Sequence, residues 1–189
     1  MTMKFLNDVR AEITSLFADN VAGAITAASL RQVVNDIVDS AAPPDCAILS
    51  TASAVGQAVG TAKAIVPMGA AISSNPIPAI LSGDASTRRV TMSVATSGFL
   101  CSIVFEATVD NLSNNQVLEF QVFQNGVATR WTAECVGRGA GRPSSIDLVG
   151  RLVSNGTPID VRVSSPTATN CDFITCSLVV QLIPTNAPL

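Results

Sequence analysis

Two hydrophobic periods divide the chain. Up to Ser40 the apolar residues follow a helical spacing. Leu30, Val33, Val34, Ile37 and Val38 fall at i, i+3, i+4, i+7 and i+8, and Arg31, Gln32, Asn35, Asp36 and Asp39 fill the opposite side. Thr26 stands where an N-cap belongs, and Pro43-Pro44 forbids continuation past Ala42. Upstream, Phe5, Val9, Ile13 and Leu16 form a second stripe with Leu6 and Phe17 beside it, and Asn20 to Gly23 separates the two. The pattern predicts a helical hairpin over residues 1–42. Short amphipathic helices gain most of their stability from burying their stripe. Helical spacing is confined to this stretch, so the expected partners are the other helix and a second copy of the chain.

From Thr87 onward the period is two. Val90, Met92 and Val94 alternate with Thr91 and Ser93, and Leu118, Phe120 and Val122 alternate with Glu119 and Gln121. Phe99 to Val109 is a long apolar run, as expected of a strand buried on both faces. Asn125-Gly126 marks a tight hairpin, because both residues accept the positive φ that such a turn needs. The return strand to Val136 carries Trp131. Further strands are predicted around Ile146, Leu148 and Leu152, around Ile159, Val161 and Val163, and from Phe173 to Ile183, where Pro184 ends the run. Short strands at this spacing with Gly, Asn and Pro turns predict a mainly β fold, an antiparallel jelly-roll-like sandwich over residues 85–189. A repeat of solenoid or propeller length is not visible.

Residues 43–84 have neither period. They are rich in Ala, Gly, Ser and Pro and nearly uncharged, with short strand candidates at Cys46–Leu49, Lys63–Val66 and Pro78–Leu81. Disordered linkers carry more charge than this. The segment is expected as extended chain packed on the β domain or on a neighbouring subunit.

Composition sharpens the expectation of self-association. Hydrophobic residues are 48% of the chain and charged residues 13%, and the mean hydropathy is +0.42. Charged residues normally approach about a quarter of a soluble chain. No apolar run reaches the roughly 18 residues a membrane span requires, and the charged N-terminus lacks a signal peptide's apolar centre. On the polar side of the strands Ser, Thr, Asn and Gln outnumber charges, and such groups cost far less to bury than ions. Subunit contact is therefore the expected outlet, and no membrane partner is expected.

Net charge is −3 and the only local basic spots are Arg88-Arg89 and the Arg138/Arg142 pair, so no nucleic-acid partner is expected. Isolated arginines of this kind are ordinarily solvated or paired with a carboxylate on a neighbouring strand. Histidine is absent, and the five cysteines, at positions 46, 101, 135, 171 and 176, form no CxxC. That disfavours a zinc site and a nucleophile–histidine pair, leaves the thiols as reduced hydrophobes, and allows contact only between Cys171 and Cys176. The Gly137-to-Pro143 run GRGAGRP precedes a strand rather than a helix, so it is a flexible surface loop and not a phosphate cradle. Glu106, Asp110, Glu119 and Glu134 are carboxylates without a pattern that pairs them for glycoside hydrolysis. No enzyme activity and no cofactor are expected. Aromatic residues are 4% of the chain with one Trp and no Tyr, so Trp131 is expected in the core or an interface rather than as a sugar platform.

The helical stretch ITSLFADNVAGAITAASLRQVVNDIVDS resembles a short module that heads fibre, spike and decoration proteins of tailed bacteriophages. Ile13, Phe17, Asp19, Asn20, Gly23, Ile25, Thr26, Ala27, Leu30, Arg31, Val33, Val34, Asp36, Ile37 and Ser40 carry the likeness. The resemblance implies a β-rich C-terminal domain similar to the trimeric jelly rolls of the tumour-necrosis-factor and C1q type. It also implies attachment to a virion assembled in the host cytoplasm. The expected role is a non-enzymatic capsid decoration (cement) or head-fibre protein forming homotrimers. The alternative is a tail fibre or receptor-binding protein with a trimeric β tip. The expected partners are further copies and either the major capsid protein or tail and baseplate proteins. The docking residues would be Phe5, Ile13, Leu16, Phe17, Leu30, Val33, Val34, Ile37 and Val38.

Overall fold

The computed structural model describes residues 30–34, 46–51, 53–74, 81–92, 100–153 and 156–183. Residues 30–34 are helical and the rest of the described chain is mainly β. In chain order the strands are β1 (Cys46–Thr51), β2 (Ala54–Val59), β3 (Ala64–Ile65), β4 (Ala70–Ser74), β5 (Leu81–Asp84) and β6 (Arg89–Met92). They continue with β7 (Leu100–Asp110), β8 (Val117–Gln124), β9 (Val127–Val136), β10 (Ser144–Val153), β11 (Ile159–Ser164) and β12 (Thr169–Ile183). They form two antiparallel sheets. The first runs β10-β7-β12-β1-β4, with β2 also on β12; the second runs β5-β6-β11-β8-β9, with β3 also on β11.

The pairings are nested about one turn. β8 pairs with β9, β7 with β10, β6 with β11 and β1 with β12. The innermost link is Asn125-Gly126, with φ of 51° and 75°. Positive φ at both central residues is the type I′ geometry, whose twist matches that of the flanking strands. A long hairpin folded over itself in this way gives the strand order of a two-sheet jelly roll. Asn125 N donates to Pro158 O at 2.8 Å, tying the tip to the approach to β11.

Alternation decides which residues fill the space between the sheets. On β7, Cys101, Ile103, Phe105, Ala107 and Val109 point inward and are buried, while Ser102, Val104, Glu106 and Thr108 take the other side. The strand is thus buried on one face and not on both. Phe105 and Phe120 stack at 5.5 Å, and Phe173 meets Phe120 edge-on at 6.3 Å. Each such pair adds about 1 kcal/mol to the burial of the rings.

The described part of residues 43–84 does more than lie against this sandwich. It supplies β1 to β5, and Ala47, Leu49, Val66, Met68 and Leu81 are fully buried in the common core. A domain border at residue 84 falls inside the β5–β6 hairpin. The strands lacked a period-two signal because Ala, Gly and Ser occupy both faces. Small residues are used where the sheets close together. A Cβ on Gly83 of β5 would stand 3.1 Å from Leu49 and 3.3 Å from Ala71. At the opposite edge a Cβ on Gly150 of β10 would stand 2.8 Å from the Trp131 ring of β9.

Candidate functional site

Of the nine residues expected to dock, Phe5, Ile13, Leu16, Phe17, Ile37 and Val38 lie outside the described residues. The other three belong to the helical residues 30–34. Val33 is buried at 5% exposure, whereas Leu30 and Val34 expose 51% and 48% of their surface. Arg31 beside them is also exposed. The helix therefore turns one apolar residue inward and leaves an aliphatic pair next to a cation outward.

A second aliphatic surface lies on the outward side of the first sheet. The register sets Val149 opposite Val104, Val104 opposite Val179, and Val179 opposite Ile48, one row across β10, β7, β12 and β1. Directly opposed residues of antiparallel strands share a face and lie within contact distance. Val153, Leu100 and Ile183 form a shorter parallel row. Val149 is 64% exposed, and Val104, Val179 and Ile48 are half-buried. On one side the long row is bordered by Asp147 directly opposite Glu106. Like charges placed opposite each other repel. Among the described residues neither carboxylate has a cation partner. On the other side the border is Arg151, Ser102 and Gln181.

The outward side of the second sheet is charged, which corrects the expectation of neutral hydroxyl and amide faces. Asp160 on β11 is 1% exposed and held by two arginines. Arg89 Nε lies 3.2 Å from its Oδ2 and Arg162 Nε 2.7 Å from its Oδ1. The Arg162 guanidinium also stands 4.1 Å from the centre of the Phe123 ring. Lys63 pairs with Glu119 at 2.8 Å. The triad was partly visible in sequence, since Asp160 and Arg162 alternate with Ile159, Val161 and Val163. Only the β6–β11 pairing brings Arg89 to them.

At one end of the sandwich the β7–β8 and β11–β12 loops enclose an open groove of about 460 Å³. Asn114, Asn115 and Gln116 line it from one loop and residues 165–168 from the other. Gln116 Nε2 donates to Thr167 O at 3.0 Å, and Ser165 Oγ donates to Val117 O at 2.8 Å. The glycine-rich run is anchored beside it. Gly137 N donates to Gln116 O at 2.8 Å and Gly139 N to Leu112 O at 3.0 Å. A Cβ on Gly137 would fall 2.1 Å from Ser113 O, so the start of this loop is packed closely against the β7–β8 backbone. Trp131 is half-buried, and its Nε1 donates to Arg151 O at 3.1 Å.

Chemically reactive groups are dispersed or muted. Glu106, Asp110, Glu119 and Glu134 are half-buried or exposed, with Glu119 in its ion pair. All five cysteines are free thiols. Burial pushes Cys101 and Cys171 up to about 11 and Cys176 up to about 12, the last helped by its neighbour Cys171. Thiols held that high stay protonated and unreactive near neutrality. Among the described residues no group of three His, Cys, Asp or Glu side chains is placed to hold a metal, and no helix is long and apolar enough to cross a membrane.

No family model matches the chain, and no curated protein matches it in sequence. Two solved structures align with the chain at low identity. The PRD1 vertex protein P5 aligns with a TM-score of 0.48 at 14% identity, over 76% of this chain and 99% of that one. A family 35 carbohydrate binding module from Clostridium thermocellum aligns with a TM-score of 0.31 at 10% identity, over 69% of this chain and 90% of the module.

Proposed function

We propose that this chain is a non-enzymatic structural protein of a bacteriophage virion, a capsid decoration or head-fibre protein that assembles as a homotrimer. The observation that carries the reading is the sequence from Ile13 to Ser40, which resembles the module that heads such proteins. Two features support it. The composition is poor in charge, and the first sheet directs aliphatic rows outward that a solitary soluble domain ordinarily keeps few of. In this role the N-terminal module anchors the protein to the major capsid protein or to tail and baseplate proteins, and the β sandwiches cluster about a threefold axis.

A tail-fibre or receptor-binding role is the second reading. The groove of amides and hydroxyls at the loop end favours it, because such groups suit a polyhydroxylated ligand. Copy number on purified particles separates the two. Hundreds of copies per particle are expected of a decoration protein and a handful of a tail fibre; absence of the chain from purified particles would sink both.

A further inference from the structure

The two aliphatic surfaces described above belong to one chain, yet neither covers the other. Leu30 and Val34 on the helix are half exposed, and so are Val149 and Val153 on the sheet. Water is thus left against both, at a cost proportional to the apolar area. Their borders are electrostatically complementary. The helix carries Arg31, an exposed cation with no ion-pair partner among the described residues. The sheet carries Asp147 and Glu106, two carboxylates facing each other with no cation partner among the described residues. A guanidinium placed there would stand between two anions and replace their repulsion by charge-assisted hydrogen bonds.

We propose that the outward face of the β10-β7-β12-β1 sheet is the socket for the Leu30–Val34 helix of a second copy of this chain. Leu30 and Val34 seat on the Val149–Val104 end of the row, and Arg31 reaches the Asp147/Glu106 pair that borders this end. A helix rises about 1.5 Å per residue, so Leu30 and Val34 stand about 6 Å apart along it. Neighbouring strands are about 4.8 Å apart, so the two side chains match one strand-to-strand step. The contact is heterologous, helix of one copy to sheet of the next, and a ring closes it without leaving either surface bare. A threefold ring is the assembly proposed above, and the inference deepens that reading by naming the surfaces that build it.

The test is a charge swap in the full-length chain, read by sedimentation equilibrium. Arg31→Glu and Asp147→Lys alter exposed side chains, so circular dichroism should show both variants folded. Each alone is expected to raise the dissociation constant of the assembly about tenfold. Asp147→Lys is informative because it relieves the repulsion with Glu106 within the chain, and a merely structural role would leave association intact. Arg31→Glu combined with Asp147→Lys is expected to restore association. A monomeric parent chain, single variants that associate like the parent, or a double variant that stays dissociated would each overturn the proposal. Association is measured without particles. A chain that obeys the swap yet is missing from virions defeats only the virion reading, and one found on virions that ignores the swap defeats only this one.

Discussion

On the outward side of the sheet containing β12, Val149, Val104, Val179 and Ile48 stand in one row. On the outward side of the sheet containing β11, Asp160 lies buried under Arg89 and Arg162, and Phe123 lies under the Arg162 guanidinium. Both sheets press the same kind of side chain into the shared core, so the contrast is confined to what each turns away from it. The charged face is closed by its own residues. Every charge of the triad has its partner within the sheet, and long arginine stems cover the neighbouring ring. The aliphatic face is unfinished, since its valines remain half-exposed and its two bordering carboxylates have no cation partner among the described residues. The first arrangement suits a surface that stays in solvent, the second one that is covered by another molecule.

The largest effect is expected at Asp160. Its replacement by Ala leaves two partly buried arginines without their anion, and removing one member of a buried ion pair typically costs about 3 kcal/mol or more. Asp160→Ala should lower the urea midpoint accordingly. A loss of less than about 1 kcal/mol would mean that the charged face is solvated rather than closed on itself.

On the aliphatic side, adjacent residues of β12 differ in burial. Val180 is fully buried in the core and Val179 lies on the outward row. Val180→Thr puts a hydroxyl where no partner waits and should cost about 2 kcal/mol. Val179→Thr should cost the isolated chain well under about 1 kcal/mol, because water still reaches that side. Equal losses would show that the outward row is as dry as the core within a single copy.

The smallest effect concerns the β5–β6 turn. Hydrogen bonds from Ser86 and Thr87 hold the Asp84 carboxyl down from 3.8 to about 2. A carboxyl lowered on folding stabilises the protein above its unfolded pKa, and that contribution is lost as pH falls through the folded one. Asp84→Asn should therefore melt slightly below the parent at pH 6. The gap should narrow below about pH 3.8 and close near pH 2. A gap that does not depend on pH would assign the loss to turn geometry instead of charge.

Period-two alternation was enough to place β6, β8 and β10 to β12 near their observed positions, because large aliphatic residues or phenylalanine recur on one side of these strands, whereas β7 reads as an unbroken apolar run. Asn125-Gly126 marked the tip of the nested hairpin and so its return strand β9, since it has few alternatives to a type I′ turn. β2 and β4 escaped notice because Ala, Gly and Ser on both sides leave no period to read. Of the candidate docking residues only Leu30, Val33 and Val34 lie among the described residues, where Val33 is buried and Leu30 and Val34 are exposed. The aliphatic socket was not legible. Its residues come from four strands distant in sequence, and each valine looks like ordinary strand filling until register aligns it with the next.

By itself, then, the order of residues determined the period of each segment, the turn at Asn125-Gly126, the shortage of charge and the absence of any histidine-based chemistry. These are local or additive properties. The tertiary structure alone decided that the described part of residues 46–84 is woven into both sheets, that Arg89 reaches Asp160, and that Val149, Val104, Val179 and Ile48 share one row. Each of those depends on which strands pair and in what register, a choice made by the packing of the whole core rather than by any one stretch of chain.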